Sequence, residues 1–376
     1  MKEFRFRAAT LLVSLASVSA LVGVACSSNS TPVTAGDAGP AAGCENAPVL
    51  TKDDYCKSCT VAANATPNTC KPPRVINACC TYVQAPTQEV ARGVGLHRFS
   101  TNSDPVVNLG CLDTPPPQGA PQTVSMKGFV RLFSSGSDTA NVKIEVYKEG
   151  PDGALGELIG TPFTTTNDDA TDPPLTPKET WLKKCENTPC SFRSYTYAGV
   201  PTETPLIVKT SDASGGGQWA ALYDYNIYLY NSVVKPDSTI DLDLQAVAST
   251  DINTVAAAAG GVAVRPDRGL LAGEVHDCDN IRLSGATVDT DVAHEGDMFY
   301  FGENEADPLP DRQRSSLGTS KLGLFGALNI PTGTPIRLRA VGKYKGETVL
   351  VGSHVVQTFP GAVTALALRG RRPYQK

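Results

Sequence analysis

The strongest constraint on the fold is an internal repeat, in which residues 200–209 (VPTETPLIVK) recur as residues 330–339 (IPTGTPIRLR). Proline has no N–H to donate to a strand ladder, so the shared Pro-Thr-x-Thr-Pro segment marks a turn into the next strand. Each copy ends in a run with period-two alternation, the pattern of a strand with one buried face. The alternating residues are Ile240, Leu242 and Leu244 in the first copy and Thr364, Leu366 and Leu368 in the second. We therefore predict an all-β fold with two β-sandwich domains in tandem.

A short helix is expected between the two copies. Ser249 or Thr250 can cap its N-terminus, Asp251 suits its first turn, and Gly260-Gly261 would end it. Elsewhere helical periodicity is scarce, while Gly, Pro, Thr and Val are plentiful, as is typical of β-rich chains. The predicted boundaries are residues 123–249 for the first β-sandwich domain, 250–268 for the helical linker and 269–376 for the second β-sandwich domain.

The first residues have the three parts of an export signal. A positive start is followed by an uncharged stretch rich in Leu and Val, and small residues then precede Cys26. The run GVAC that ends at Cys26 resembles the lipobox of bacterial lipoproteins, in which the cysteine is acylated before cleavage. This resemblance implies a signal peptide at residues 1–25, a lipid such as palmitate on Cys26, and a flexible Ser/Thr/Gly/Pro-rich tether at residues 26–43. A plain cleaved signal and an uncleaved transmembrane anchor are the alternatives.

The residue after the cysteine bears on location. In lipoproteins of this kind, Asp at that position tends to retain the protein in the inner membrane, and Ser, present here as Ser27, permits transport outward. We therefore expect a lipid-anchored outer-membrane protein on the periplasmic or cell-surface face. A formal net charge of −5 and the lack of a basic cluster argue against nucleic-acid binding. The expected partners are the membrane, through the anchor, and an envelope protein or a glycan.

Apart from Cys26, the sequence has ten cysteines, an even number that indicates disulfide bonds in an exported chain. Six of them fall within residues 44–80, a stretch with few large apolar side chains. Such a stretch buries too little area to fold around a core, so cross-links are expected to hold it. We therefore expect residues 44–122 to form an irregular, disulfide-rich segment. The predicted disulfide cysteines are Cys44, Cys56, Cys59, Cys70, Cys79, Cys80, Cys111, Cys185, Cys190 and Cys278.

Short motifs in the second copy follow the order of a known family. They are GEV at residues 273–275, GATV at 285–288, GLF at 323–325 and IPTG at 330–333. With these motifs the copy resembles the carboxypeptidase regulatory-like, or transthyretin-like, β-sandwich family. The resemblance covers residues 270–370 and, more loosely, residues 126–249. It implies a β-sandwich fold and a non-catalytic role as an accessory, spacer or binding module.

The stock of catalytic groups is small. The sequence has four histidines and lacks both the His-Glu-x-x-His motif and the Gly-x-Ser-x-Gly motif. No catalytic residue and no cofactor are therefore predicted, and the chain is interpreted as a non-enzyme. An envelope hydrolase with an unfamiliar site is an alternative, which would require His276, His294 and acidic side chains to converge in one cleft.

Two kinds of residue group have the side chains that metal ions bind. The Cys56-x-x-Cys59 pair could join other cysteines in a zinc or iron–sulfur site, but disulfides suit an exported chain better. Two acidic groups could supply oxygen ligands to calcium, although neither has EF-hand spacing. These groups are Asp289, Asp291, Glu295 and Asp297, and Asp168, Asp169 and Asp172. Solvated loop carboxylates are the simpler and preferred explanation, so no metal is predicted.

A run of aromatic residues is the best candidate for ligand binding. It consists of Trp219, Tyr223, Tyr225, Tyr228 and Tyr230. An exposed aromatic strip can stack on sugar rings or anchor a protein partner, whereas the same spacing also fits a strand with one face in the core. The function expected from the whole sequence is a non-catalytic binding or scaffolding module of the cell envelope. A carbohydrate-binding surface protein that uses this strip is the first alternative.

Overall fold

The computed structural model describes residues 95–98, 106–133, 139–166, 192–290, 292, 298–304 and 308–375. The chain divides into two compact units, Met1–Ala38 and Gly39–Lys376, and every described residue belongs to the second. The predicted signal peptide, Cys26 and the tether therefore lie outside the described residues. So do Cys44, Cys56, Cys59, Cys70, Cys79, Cys80, Cys185, Cys190, His294, Asp168, Asp169, Asp172, Asp291, Glu295 and Asp297. Within the described ranges, no helix has the length and apolar character needed to span a membrane.

The described residues are mostly β-strand, which confirms the predicted all-β class. The strands before the longer helix are β1 (His97–Arg98), β2 (Thr123–Leu132), β3 (Val142–Glu149), β4 (Leu155–Thr164), β5 (Arg193–Pro201), β6 (Pro205–Asp212), β7 (Trp219–Ala220), β8 (Leu222–Tyr228), β9 (Thr239–Asp241) and β10 (Leu244–Ala248). Those after it are β11 (Gly269–Val275), β12 (Leu283–Ser284), β13 (Ala286–Thr290), β14 (Phe299–Tyr300), β15 (Leu324–Ile330), β16 (Pro335–Tyr344), β17 (Glu347–Gln357) and β18 (Val363–Leu368). The helices in these ranges are α1 (Gly110–Asp113) and α2 (Ser249–Ala259).

These strands form a β-sandwich-like arrangement of sheets. The largest sheet has eight strands in the order β14-β15-β11-β18-β8-β6-β3-β4. A five-stranded sheet has the order β5-β2-β10-β7, with β9 beside β2, and a three-stranded sheet has the order β13-β16-β17. β1 and β12 form a further pair. The fold is therefore built mainly from three sheets.

The two copies of the sequence repeat have the same strand pairing. β2 is antiparallel to β5 and parallel to β10, and β11 is antiparallel to β15 and parallel to β18. Likewise β3-β6-β8 and β13-β16-β17 are both antiparallel three-strand runs. Each Pro-Thr-x-Thr-Pro segment joins strands of different sheets, β5 to β6 and β15 to β16. The prolines thus stand where the chain leaves one sheet for another, because they cannot extend a ladder.

The largest sheet contains strands from both copies. β18 pairs in parallel with β8, from Val363 opposite Leu222 to Leu366 opposite Tyr225. The backbone ladder therefore crosses the predicted division between residues 123–249 and 269–376 without interruption. This pairing brings β8, β18 and β11 side by side in the centre of the sheet.

Three clusters of buried apolar side chains hold the sheets together. The first includes Met126, Ile144 and Tyr197 and lies between the five-stranded and eight-stranded sheets. The second includes Phe325 and Leu338 and lies between the eight-stranded and three-stranded sheets. The third lies on the face of the eight-stranded sheet opposite to the second cluster, where helix α2 packs. These clusters are the cores expected when strands bury alternate side chains.

Helix α2 confirms the predicted helix between the copies, with one correction at its start. The N-terminal capping position is occupied by Ala248, and neither Ser249 nor Thr250 caps the helix with its side chain. The helix ends as predicted, at Gly260, whose φ is 151° and whose N–H donates to the Ala256 carbonyl. The sequence pattern therefore located the helix more securely than its first residue.

Two of the ten predicted disulfide cysteines, Cys111 and Cys278, lie within the described residues. Cys111 and Cys278 form a disulfide, with their Cα atoms 5.7 Å apart. The same region is fixed by charge, since Arg98 Nε lies 2.6 Å from the buried Asp277 carboxylate and Arg98 also pairs with Asp279 at 2.6 Å. The segment before β2 is thereby tied to the loop that follows β11.

Candidate functional site

A cavity of about 380 Å³ lies against one face of the eight-stranded sheet, where β8, β18 and β11 run side by side. Strand pairing aligns Asp224 with Ala365, and Ala365 with Ala272, in one row across these strands. Ala272, Ala365, Ala367 and Gly326 line the cavity, and their small size leaves room above the sheet. Small-molecule sites in proteins have volumes of this order.

Apolar side chains line the larger part of the cavity. They are Leu222, Leu270, Leu328 and Val363 from the sheet, Ile252 and Val255 from helix α2, and the aromatic residues Phe133, Phe299 and Phe301. Phe133 and Phe301 pack edge to face with ring centroids 6.0 Å apart, and Phe299 lies 5.6 Å from Phe301. This lining favours an apolar ligand, because apolar surface that leaves water on binding stabilises the complex.

Asp224 brings a carboxylate into this apolar surrounding. Its side chain is half-buried and faces the cavity, and it makes no hydrogen bond or ion pair with any described residue. Burial raises the pKa of Asp224 to about 7, and the negative charge of Glu274 adds to the increase. Near neutral pH this carboxyl group is therefore divided between its protonated and ionised forms.

Glu274 lines the same cavity but has partners. Its Oε2 lies 2.6 Å from His276 Nε2, and its two oxygens accept from the Arg282 guanidinium at 3.1 and 2.7 Å. Burial alone would raise the pKa of Glu274, but the His276 hydrogen bond and the Arg282 charge outweigh it and bring the pKa to about 2. Glu274 is thus ionised at neutral pH, with its charge compensated.

Asn226 fixes the polar end of the cavity. It adopts a φ of 60° at a bulge in β8, where two residues of β8, Tyr225 and Asn226, face one residue of β6, Ile207. Its Nδ2 donates to the Ala367 carbonyl at 2.8 Å, and its Oδ1 accepts from Arg372 Nε at 3.0 Å. Arg369 donates to Asn280 Oδ1 nearby. The residues that follow β18 thereby close this end of the cavity.

The five aromatic residues predicted to form a strip do not share one exposed face. Trp219, Tyr225 and Tyr228 are buried, whereas Tyr223 and Tyr230 are half-buried. The Trp219 indole and the Tyr225 hydroxyl each donate to a backbone carbonyl at 2.9 Å. Aromatic residues with such internal partners serve the core, which the spacing alone could not distinguish from a surface strip. Tyr225 and Tyr228 also line the cavity, and a ligand-binding role for the five residues stays a prediction.

The described histidines next to carboxylates do not form a catalytic pair with a nucleophile. His276 lies beside Glu274, and His354 Nε2 lies 2.7 Å from Glu149 Oε1 in a buried pair. Ser353 adjoins His354 on β17, but successive residues of a strand point to opposite faces. Among the described residues, no group of three or more His, Cys, Asp and Glu side chains could hold a metal ion.

Comparison with models of known protein families gave no match, and comparison with curated proteins gave none either. The site must therefore be interpreted from its own chemistry. Asp224 was not predicted as a site residue from the sequence. It lies between Tyr223 and Tyr225 in a strand whose positions are all buried or half-buried. An acidic residue flanked by aromatic residues in a central strand is the signal that could have revealed it.

Proposed function

We propose that this chain is a non-catalytic binding protein of the cell envelope, which takes a small, largely apolar molecule into the cavity between helix α2 and the eight-stranded sheet. The cavity carries the proposal, because it has about 380 Å³ of volume, a mainly apolar lining and a few polar groups. Small-molecule sites combine these three properties. Binding of this kind needs no catalytic residue, which suits a chain with four histidines.

The proposed architecture is two β-sandwich domains in tandem, preceded by a disulfide-rich segment. The equal pairing of β2, β5 and β10 in one copy and β11, β15 and β18 in the other supports this division. The resemblance to the carboxypeptidase regulatory-like family supports the same role, since such domains usually bind or space other modules. The site then lies where the two domains share a sheet, and ligand pockets are frequent at such junctions.

The proposed location is the outer membrane, on its periplasmic or cell-surface face. Support comes from the export signal, the GVAC run ending at Cys26 and the following Ser27. A lipid-anchored cysteine would hold the chain at the membrane, and two or more acyl chains suffice for stable anchoring. An envelope protein that receives or delivers the ligand is the proposed protein partner.

The glycan-binding alternative depended on an exposed aromatic strip. Three of its five residues, Trp219, Tyr225 and Tyr228, are buried, so the described surface offers little stacking area at these positions. The hydrolase alternative depended on two histidines and acidic side chains in one cleft. His276 lies beside the cavity but is held between Glu274 and Asn280. Neither alternative gains an observation in its favour.

The proposal is tested with the neutral fluorescent probe N-phenyl-1-naphthylamine. A soluble chain of residues 27–376, exported with a signal that lacks the cysteine, retains the whole compact unit Gly39–Lys376. The probe is expected to bind with increased fluorescence, since its emission rises in apolar surroundings. Ala365→Leu would place a larger side chain in the cavity and is expected to weaken binding about tenfold.

Ala257→Leu is the matched control, because Ala257 is exposed on helix α2 and does not line the cavity. Its thermal unfolding and that of Ala365→Leu show whether each variant is folded. Equal probe binding by the parent and a folded Ala365→Leu variant would place the binding elsewhere and overturn the proposed site.

A further inference from the structure

The charges around Asp224 are unbalanced. The other charged side chains that line the cavity are Glu274 from β11, Asp251 from helix α2, and Arg369 and Arg372 from the segment after β18. Of these, only Glu274 shifts the pKa of Asp224, and it does so in the direction of like-charge repulsion. Both arginines donate to asparagine side chains, and no ion pair joins either of them to Asp224 in the part of the chain that the structure describes. An ionised Asp224 therefore has no compensating charge among the described residues.

The arginines at this end are already engaged. Arg372 is buried and donates to the Asn226 side chain at 3.0 Å and to the Asn226 carbonyl at 2.6 Å. Arg369 donates to Asn280. Arg282, which is not among the residues that line the cavity, neutralises Glu274. Glu274 thus has a cationic partner, whereas Asp224 has none among the described residues. A ligand could supply a cation to Asp224.

We propose that the ligand of this cavity is an amphipathic amine, with its cationic nitrogen bound to Asp224 and its apolar body lying along the row of small side chains toward helix α2. The inference rests on the proposed binding function and names the chemistry of its ligand. Burial of a charge is costly unless an opposite charge and hydrogen bonds accompany it. An ammonium group supplies both, whereas a hydroxyl supplies a hydrogen bond only and a carboxylate adds a second repelling charge.

The raised pKa of Asp224 also gives the inference a pH dependence. An alkylammonium ion stays charged through neutral pH, while Asp224 is half protonated near pH 7. Binding the amine requires the ionised form and therefore releases the proton of Asp224. The affinity for the amine is expected to rise between about pH 6 and pH 8, and the affinity for a neutral analogue is not.

Competition against N-phenyl-1-naphthylamine on the soluble chain tests this directly. The competitors are octylamine, 1-octanol and octanoate, which share an eight-carbon chain and differ in the head group. At pH 8, octylamine is expected to displace the probe at about tenfold lower concentration than 1-octanol, and octanoate least well. In Asp224→Asn the amine is expected to lose this advantage, while the probe still binds. Asp237→Asn, an exposed position paired with Lys127, is the matched control and should leave the advantage intact.

The outcomes separate this inference from the proposed function. If the probe binds in the cavity but 1-octanol displaces it as well as octylamine does, the cavity binds apolar molecules and the amine inference is wrong. If Asp224→Asn keeps the amine preference, Asp224 is not the partner, and the inference fails in the same way. If the probe does not bind at all, the proposed function itself fails.

Discussion

At the scale of single residues, the carboxylate of Asp224 that is proposed to bind the ligand also lowers the stability of the folded chain. Its pKa is about 7 in the folded chain and 3.8 in an ordinary setting. Between these values the folded state keeps a proton that the unfolded state has lost, so the free energy of unfolding falls as the pH rises from about 4 to 7. The loss amounts to at most about 4 kcal/mol above pH 7, since each unit of pKa difference corresponds to 1.36 kcal/mol.

The effect of Asp224→Asn on the free energy of unfolding is therefore expected to depend on pH. At pH 8 the variant should be more favourable to the folded state, by up to about 4 kcal/mol, than the same variant is at pH 4. Asparagine keeps the shape and cannot ionise, so the variant should lose the fall in stability between these pH values. Urea denaturation at both pH values measures the difference. Asp237→Asn should show no such gain at pH 8, because hydrogen bonds from Thr239 and Lys127 lower the pKa of Asp237 to about 2. An equal effect of Asp224→Asn at both pH values would contradict the elevated pKa.

Arg372 presents the opposite case, a buried cation whose hydrogen bonds go to neutral groups. Its guanidinium donates to Asn226 and lies 3.4 Å from the Tyr230 hydroxyl. Arg372→Met removes these bonds and leaves the buried Asn226 carbonyl without this donor, so a loss of about 2–3 kcal/mol in unfolding free energy is expected. The same change at Arg265, whose side chain is 43% exposed and pairs with the exposed Asp267, should cost less than about 0.5 kcal/mol. Denaturation curves that show equal losses for the two variants would contradict the inferred role of Arg372.

Single residues also mark the limit of the sequence analysis. Trp219 and Tyr225 were candidates for an exposed strip because alternation shows that two residues share a face, not which side of the sheet that face is on. Asn226 shifts the alternation within β8, since its bulge places an extra residue in the strand. After the bulge, the residues that face each side of the sheet are shifted by one position. Strict alternation from Tyr225 would therefore not predict the burial of Tyr228. Asp224 was passed over because its significance depends on the strands beside it.

At the scale of elements, local signals predicted well. Pro201 ends β5 and Pro331 follows β15, whereas Pro205 and Pro335 open β6 and β16. These are the positions expected of residues that lack the N–H needed inside a ladder. Gly260 ends helix α2 where the sequence predicted. The start of α2 was predicted less well. Ala248 precedes the helix, Ser249 and Thr250 are its first residues, and no side chain caps it. Proline and glycine, whose backbone conformations are restricted or unusually free, thus predicted element ends more reliably than Ser and Thr, whose capping hydrogen bonds need not form.

Gly260 allows a test of how α2 contributes to the cavity. Its φ of 151° is strained for any residue with a Cβ, although no atom within 4 Å would meet an added methyl group. Gly260→Ala is expected to lower the unfolding free energy by about 1 kcal/mol through backbone strain alone. It should also weaken N-phenyl-1-naphthylamine binding, because Ile252 and Val255 of the same helix line the cavity.

Gly302→Ala provides the comparison, since Gly302 has no positive φ and its nearest neighbours would lie 3.7 and 3.9 Å from an added Cβ. Its unfolding free energy is expected to stay within about 0.5 kcal/mol of the parent. Urea denaturation of both variants gives the result. If Gly260→Ala were as stable as the parent, the helix end would not require the glycine conformation.

At the scale of the whole molecule, contacts between the two copies could not be predicted from the sequence. The repeat predicted two similar sets of strands, but nothing local specifies that β18 pairs with β8, more than a hundred residues away. The same long-range pairing creates the cavity, because it sets Asp224 beside Ala365 and Ala272. A site assembled across a sheet in this way has no sequence motif, and only its separate residues can be seen in the chain.

Further contacts join the copies away from the shared ladder. His354 of β17 lies 2.7 Å from Glu149 of β3, and both side chains are almost fully buried. The Gln357 N–H of the second copy also donates to the Tyr225 hydroxyl of the first at 3.3 Å. Breaking the copies apart would expose the edge of β18 and leave these buried polar groups unpaired. The copies are therefore expected to depend on each other for stability.

This dependence predicts a single unfolding transition for the soluble chain of residues 27–376. Calorimetry should give equal calorimetric and van't Hoff enthalpies for the region that includes both copies. Ile144→Ala in the first core and Leu338→Ala in the second remove fully buried side chains, each at a cost of about 2–5 kcal/mol. Because the copies unfold together, both variants should lower the Tm of the same transition. Two separable transitions, each moved by only one of the variants, would show instead that the shared sheet joins domains that are stable by themselves.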